Sequence, residues 1–334
     1  MRMVTSKRAG ALMLAVCCAP ALAAEGAATR ALPSDWYPES VAAGADGAMY
    51  VSSWRQGAVA RLDGADGAAT VLVAPASNGL ANGQGVLVDS GRRLLWVCSA
   101  AFGFSTVAPT PSALKSYDLD SGAARASYPL PPGAGGGTGQ CNDVAQDAAG
   151  TLYVTDSAQP RVLRLRLGEA ALQTWAADAA FAVGAQGYAL NGIAIDRGQI
   201  YLSAVAAAPY LLRVGINGDG SAGPAARIAL PRALKNADAL RLAGPGRLLI
   251  FESNTFGADG PYGGQITLAR LAGEGATLET IVAGLNEPSS GAVAGGRVYF
   301  VESKFALLFK HKGDDAALPR GVPFNLQSRA LPAD

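Results

Sequence analysis

The chain has 334 residues, half of them hydrophobic, with 42 glycines and 19 prolines, which describes a turn-rich globular protein able to bury a sizeable core. Lys and Arg number 27 against 26 Asp and Glu, and neither sign forms a run long enough to make a polyelectrolyte patch. Nucleic acid is therefore not an expected partner.

The first 25 residues have the three parts of an export signal: basic Lys7 and Arg8, an apolar run from Ala11 to Ala21, and Ala21-Leu22-Ala23 ahead of Ala24-Glu25. Cleavage is expected after Ala23, so that residues 1–23 are a signal peptide and residues 24–334 one periplasmic or secreted domain. The apolar run is shorter than the ~20 residues that cross a bilayer, so no membrane contact is expected once the signal is gone. Lipid attachment at Cys17 or Cys18 is the alternative, a poor match because large Val16 or Cys17 precedes the cysteine. Cleavage leaves Cys98 and Cys141. In an oxidising compartment they are able to bridge; two buried, small apolar side chains are the other reading.

One unit then recurs along the chain. The segments "MYVSS", "LWVCS", "LYVTDS", "IYLSA", "LLIFES" and "VYFVES" align at Tyr50, Trp96, Tyr153, Tyr201, Leu249 and Tyr299, spaced 46, 57, 48, 48 and 50 residues apart. Each follows an apolar run and a tight turn, from Asp46-Gly47 in the first unit to Gly295-Gly296 in the last, and that is a hairpin signature. Alternating segments such as "AVARLD", "RVLRLRL" and "QITLARL" add a third strand to each unit. Three or four strands in about 48 residues is the rhythm of a propeller blade, and no long stretch has the 3.6-residue period of a helix. The expected fold is all-β: a six-bladed β-propeller with a central channel. Its closing strand is expected either from near Ala28 to Leu32 or from Pro323 to Leu326.

Counting back eleven residues from each aligned position, or ten where the turn is shorter, reaches Glu39, Gly85, Asn142, Asn191, Asp238 and Ser289. The first strand of a blade lines the channel, so equivalent positions form one ring, and blades 1, 3, 4 and 5 bring oxygen-bearing side chains to it. Asn, Asp and Ser also favour turns, where they bond local backbone. Turn chemistry has no need for Glu, however, and does not explain a shared register. Two carboxylates and two amide oxygens suit a hard divalent ion: calcium by expectation, with Zn, Mn or Mg as alternatives. The ring offers no Cys or His for a softer metal.

At this point the chain resembles the gluconolactonase family, which includes the senescence marker protein and the luciferin-regenerating enzyme. The resemblance runs over essentially the whole mature chain, through Glu39 in "YPESV", Asn142 in "CNDVA", Asn191 in "LNGIA" and Asp238 in "NADAL". It implies that Glu39, Asn191 and Asp238 bind the cation, that Asn142 stands beside them holding substrate and the water on the metal, and that Asp238 doubles as general base. The chain also departs from the family. Ser40-Val41 replaces a Gly-Pro, Ala237-Asp238-Ala239 replaces Pro-Asp-Gly, and Gln140 stands where the sugar-acid members have Arg.

Lactone hydrolysis needs a polarised carbonyl and an activated water, which a divalent ion supplies. A Ser-His-Asp triad is not expected, because the single histidine, His311, falls in "LFKHKGDD" after the last aligned strand, where a solvated tail is the default. The loops joining second to third strands should return to the ring's end of the channel, and they are aromatic: Trp54, Phe102, Phe104, Tyr210, Phe256, Tyr262 and Phe305 lie in or beside them, with Asp156, Glu252 and Glu302 at strand ends. Packing between blades is the alternative place for each ring. Gln140, Trp54, Phe104, Tyr210, Phe256 and Tyr262 are the expected substrate rim, suited to an apolar acyl or aryl lactone or ester. The Gly-rich segment from Pro131 to Gly139 is either a mobile lid or a plain connection. The expected activity is a secreted, monomeric, metal-dependent lactonase or esterase. The alternatives are a non-enzymatic propeller scaffold with a structural ion, or a metal-free relative resembling strictosidine synthase.

Overall fold

The computed structural model describes residues 28–333 apart from 65–66, 183–187, 256, 258 and 313. The expected signal segment lies outside the described residues. Strand β1 (Ala28–Ala31) leads into blade 1, formed by β2 (Pro38–Ala43), β3 (Met49–Ser53), β4 (Ala58–Leu62) and β5 (Ala69–Val73). Blade 2 is β6 (Asn82–Asp89), β7 (Leu94–Ala100), β8 (Ala113–Asp118) and β9 (Ala124–Pro129); blade 3 is β10 (Cys141–Gln146), β11 (Leu152–Asp156), β12 (Arg161–Leu165) and β13 (Gln173–Ala177). Blade 4 is β14 (Leu190–Asp196), β15 (Gln199–Ala204), β16 (Tyr210–Ile216) and β17 (Ala222–Arg227), and blade 5 is β18 (Ala237–Gly244), β19 (Arg247–Glu252), β20 (Gly264–Ala272) and β21 (Gly275–Leu285). The chain ends with β22 (Gly291–Ala294), β23 (Arg297–Val301), a short helix α1 (Phe305–Lys310) and β24 (Asn325–Ala330).

These strands make six four-stranded antiparallel sheets, as the repeat predicts. The sixth has the order β22-β23-β24-β1, so both of the segments considered for closure take part in it. β3 and β11 are buried along their whole length because neighbouring blades cover both faces, whereas the outer strand β9 alternates with solvent. The core lies between blades: Tyr50 and Val59 of blade 1 pack with Leu95, Val97 and Tyr117 of blade 2, and Tyr153 and Trp175 of blade 3 pack with Ile200 and Leu202 of blade 4.

A break in register explains how polar residues can head a buried strand. In blades 1 to 5 the inner hairpin slips between Pro38 and Val41, Gly83 and Val86, Cys141 and Val144, Leu190 and Ile193, and Ala237 and Leu240. Each bulge frees two residues from the ladder and re-aims their side chains. They are Glu39-Ser40, Gln84-Gly85, Asn142-Asp143, Asn191-Gly192 and Asp238-Ala239. This corrects the sequence reading of blade 2, in which Gln84, not Gly85, is the ring residue. Val86 pairs with Val97 as Val41 pairs with Val51, and Asp89 pairs with Leu94 across a longer turn than the count allowed. In blade 6 Gly291 pairs with Phe300, which leaves Ser289-Ser290 at the equivalent level.

Hydroxyls stitch the blades together at this level. Ser52 Oγ accepts the Ser40 N–H at 3.0 Å and donates to the Gln84 carbonyl at 2.7 Å. Thr155 Oγ1 accepts from Asp143 N–H at 3.0 Å and donates to Asn191 O at 2.5 Å; Ser203 Oγ accepts from Gly192 N–H at 2.8 Å and donates to Asp238 O at 2.9 Å. Ser289 Oγ crosses the closing seam to Glu39 O at 2.6 Å. Between blades 2 and 3 stands a disulfide, Cys98–Cys141, with the two Cα atoms 5.1 Å apart, which settles the cysteine question in favour of a bridge. Glycine is required beside the ring: a Cβ on Gly192 would lie 2.5 Å from Asp238 O, and one on Gly85 would lie 2.7 Å from Asn142 O.

Candidate functional site

The bulges deliver Glu39, Gln84, Asn142, Asn191 and Asp238 to the wall of one cavity of about 530 Å³, its open mouth included. Glu39, Asn142 and Asp238 are buried. Glu39 Oε2 and Asn142 Oδ1 are buried acceptors with no hydrogen-bond partner. An unpaired buried acceptor is costly, and two of them on residues of one cavity call for a donor or a cation there. Asp238, in contrast, accepts hydrogen bonds from the side chains of Ser253 and Asn191.

The second bulge residues of blades 1 and 3, Ser40 and Asp143, build a separate layer with Arg241. Arg241 crosses the channel and fills it: Nη1 lies 2.7 Å from Asp143 Oδ2, Nη2 donates to Ser40 Oγ and Ser290 Oγ, each at 3.0 Å, and Nε donates to Gly291 O at 3.0 Å. Asp143 also accepts the N–H of Val144 at 3.0 Å. The two polar residues of "CNDVA" therefore have different tasks. Asn142 faces the cavity, and Asp143 anchors the Arg241 guanidinium, which is not part of the cavity lining.

The electrostatics follow from this layering. Three carboxylates, Glu39, Asp143 and Asp238, surround one guanidinium, Arg241, leaving an excess of two negative charges when all are ionised. Burial pushes Glu39 well above the usual carboxylate range, Asp238 and Asp143 raise it further, and Arg241 opposes them. Burial likewise pushes Asp238 up to about 7, against the hydrogen bonds from Ser253 and Asn191. Glu287, a buried carboxylate in the loop before β22, is also raised to about 7 by burial and accepts the Ala306 N–H of α1 at 2.7 Å. Each acid is shifted toward its protonated form because burial outweighs what Arg241 and the neighbouring hydrogen-bond donors offset. Among the described residues no three His, Cys, Asp or Glu side chains converge as a metal cage. The donor set is instead mixed, carboxylate and amide oxygen, which suits a hard cation keeping water in its shell.

One side of the cavity is aromatic. Trp54, Phe102, Tyr188, Phe305 and Phe309 all line it. Trp54 is the hub, with ring centroids 4.9 Å from Phe305, 6.0 Å from Phe309 and 6.1 Å from Phe102. Phe104 stacks on Trp54 at 5.7 Å without lining the cavity itself, and it is held by Arg55 donating to its carbonyl at 2.8 Å. The other side, from blades 3 to 5, presents Ser157, Asn236, Asp238 and Thr255.

Other expected rim residues stand elsewhere. Gln140 is not part of the lining; its Oε1 accepts from Ala101 N–H at 2.9 Å and ties blade 3 to blade 2. The Tyr210 hydroxyl donates to Ala180 O at 2.7 Å while Arg227 covers its ring at 3.8 Å, and Tyr262 is 65% exposed, away from the cavity. Phe256 lies outside the described residues. Asp156 is engaged by Arg161 at 2.9 Å, Glu252 by Arg232 at 2.7 Å, and Glu302 by Asn286 N–H at 2.5 Å, so each ties down backbone or a neighbouring blade. The segment from Pro131 to Gly139 is pinned by Arg161, which donates to the carbonyls of Pro131 and Pro132 at 2.6 and 3.0 Å. His311 follows α1 and is not part of the cavity lining.

Gln84, Tyr188, Asn236 and Phe309 are cavity residues that sequence reasoning missed. Gln84 was recoverable from the extra turn residue at Ser90–Arg93. Phe309 was not, because α1 is only six residues long and carries no capping signature.

No protein-family model matches the chain, and no curated protein matches it in sequence. Solved structures share its fold. A gluconolactonase from Xanthomonas campestris superposes with a TM-score of 0.62 at 17% identity, over 94% of this chain and 93% of that one. A PQQ-bound aldose sugar dehydrogenase from Streptomyces coelicolor gives 0.59 at 16%, over 92% and 99%, and a luciferin-regenerating enzyme gives 0.57 at 11%, over 90% and 95%. The chain is thus similar in fold to gluconolactonases and to propellers of other chemistry, and its own site must carry the functional argument.

Proposed function

We propose that the protein is an exported, divalent-cation-dependent hydrolase of a small neutral lactone or ester that carries an apolar group. The observation that carries this reading is the pair of donor-less buried acceptors, Glu39 Oε2 and Asn142 Oδ1, on the wall shared with Asn191 and Asp238. An ion of charge two offsets the excess of Glu39, Asp143 and Asp238 over Arg241, and hard oxygen ligands favour calcium. The structural likeness to gluconolactonases agrees with a lactone as substrate. The signal-like residues 1–23 and the Cys98–Cys141 disulfide support export.

Glu39, Asn142, Asn191 and Asp238 would hold the ion, with Gln84 across the ring. When bound, the ion supplies Lewis acidity for a carbonyl oxygen and acidifies water. The remaining work falls to side chains. Asp238, raised to about 7 by burial, would in its ionised form accept the proton of an attacking water. Asn142 would place its amide against the substrate. Trp54, Phe102 and Phe305 exclude water from the reacting end and receive the apolar group. Among the described residues that line the cavity none carries a cationic side chain, so the protein itself supplies no counter-charge for an anionic substrate.

Calorimetric titration with calcium, combined with a screen of lactones and aryl esters with and without chelator, tests the proposal. Chelator-sensitive hydrolysis, faster on apolar lactones than on gluconolactone, is the expected result. Tight calcium binding with no hydrolysis across the screen would leave a binding scaffold with a structural ion.

A further inference from the structure

The junction between blades 2 and 3 departs from the stitching used at three other junctions, those of blades 1 and 2, 3 and 4, and 4 and 5. Ser52, Thr155 and Ser203 occupy the same place in β3, β11 and β15, opposite Val59, Val162 and Leu211 of the third strands. Each receives a bulge N–H from its own blade and donates to the ring carbonyl of the next one, that of Gln84, Asn191 or Asp238. Cys98 holds this place in β7, opposite Leu114. Its sulfur is bonded to Cys141, the residue immediately before Asn142, and both cysteines are fully buried. The disulfide therefore joins the same pair of elements, second strand of one blade to first strand of the next, at the level where those three junctions use a hydroxyl.

We infer that the Cys98–Cys141 disulfide is the positioning element for Asn142, the covalent counterpart of the hydroxyl bridges that hold Gln84, Asn191 and Asp238 in the ring. Asn142 Oδ1 is a buried acceptor without a donor, so no hydrogen bond from the protein steers it. Its placement has to come from its backbone, and the adjacent covalent bond supplies that constraint. This inference deepens the cation-site reading and relies on it for one of its two readouts.

The test uses the full chain with Cys98→Ala/Cys141→Ala and with Cys98→Ser/Cys141→Ala, each with and without Asn142→Ala. Calcium affinity of the alanine pair should fall by roughly 10- to 100-fold, the usual loss when support behind a ligand is removed. The serine variant should regain most of it, since a hydroxyl at residue 98 can reach the residue 142 carbonyl as Ser52 reaches that of Gln84. In the Asn142→Ala background, loss of the disulfide should cost nothing more, because residues acting through one another are non-additive. Affinity unchanged in the alanine pair, or losses that add to Asn142→Ala, would reduce the disulfide to a general staple and overturn the inference. Should the wild type bind no calcium, the cation reading fails by itself and hydrogen exchange still decides. Amides of residues 142–146 should exchange faster in the alanine pair and recover in the serine variant, and equal protection in all three would overturn the inference.

Discussion

Arg241 and Asp143 stand 98 residues apart in the sequence and meet across the channel, with Nη1 2.7 Å from Oδ2. The pair joins β18 to β10 and, through Ser40 and Ser290, touches blades 1 and 6 as well. Arg241→Met leaves the Asp143 carboxylate buried without its partner, which should cost about 3–5 kcal/mol. Asp143→Asn in the same chain should recover much of that, because the uncompensated charge is gone. Urea unfolding of both single variants and the double variant reads this directly. Losses that simply add would show that the guanidinium acts as filler and not as a counter-charge.

Asp238 and Asn191 separate ligand from base. Asp238→Asn keeps an oxygen of similar shape but removes a charge and most basicity, so calcium should bind more weakly yet still saturate. A general base contributes roughly 10²- to 10⁴-fold, and a kcat loss of that order should persist at saturating calcium. Asn191→Ala removes a neutral ligand and leaves the base, so saturating calcium should restore much of its rate. Equal rescue of the two variants would place the base elsewhere.

Glu287 gives a pH signature that is independent of catalysis. Burial raises its folded-state value to about 7 from an ordinary 4.5, so between those values the folded protein binds more protons than the unfolded chain. Its contribution to stability is complete below 4.5 and is lost as pH rises through about 7. Glu287→Gln keeps an acceptor for the Ala306 N–H but does not titrate. The stability of the wild type relative to this variant should therefore fall across that window. A difference that stays flat with pH would mean that Glu287 titrates as an ordinary surface acid.

Phe309 is 37% exposed and lines the cavity, so its removal should alter recognition more than stability. Phe309→Ala should raise KM for an apolar lactone by roughly 3- to 10-fold, about 1 kcal/mol for one aromatic contact, with kcat nearly unchanged. KM for a small polyhydroxy lactone should hardly move. A parallel loss on both substrates would show that α1 orders the cavity as a whole and does not bind the apolar group.

The repeat of Tyr50, Trp96, Tyr153, Tyr201, Leu249 and Tyr299 was legible because every inner hairpin obeys one pattern of pairing. Glu39, Asn142, Asn191 and Asp238 were legible for the same reason: a bulge that recurs at one position in each of these blades leaves only the turn length to vary, by one residue in blade 4. Gln84 escaped where a longer turn at Ser90–Arg93 altered the count by one. Tyr210 and Tyr262 show the limit of loop composition as a guide, since a ring's address in the sequence does not fix which way it turns. Arg241 could not have been placed at all, because its partners Asp143, Ser40 and Ser290 come from three other blades and meet it only once the circle has closed.

The sixth blade sets an order of events for the emerging chain. Ala28 pairs with Ser328, 300 positions later, so β1 must wait unpaired until β24 has been made. Such distant pairing is slow, even though the entropy of closing a long loop grows only gently with length. The same seam runs beside Glu39, whose carbonyl receives the Ser289 hydroxyl only after closure. A chain truncated before β22 would thus carry Asn142, Asn191 and Asp238 without a settled Glu39. If the protein holds the ion proposed above, that ion would bind last and act as the latch that keeps first and final blades from drifting apart.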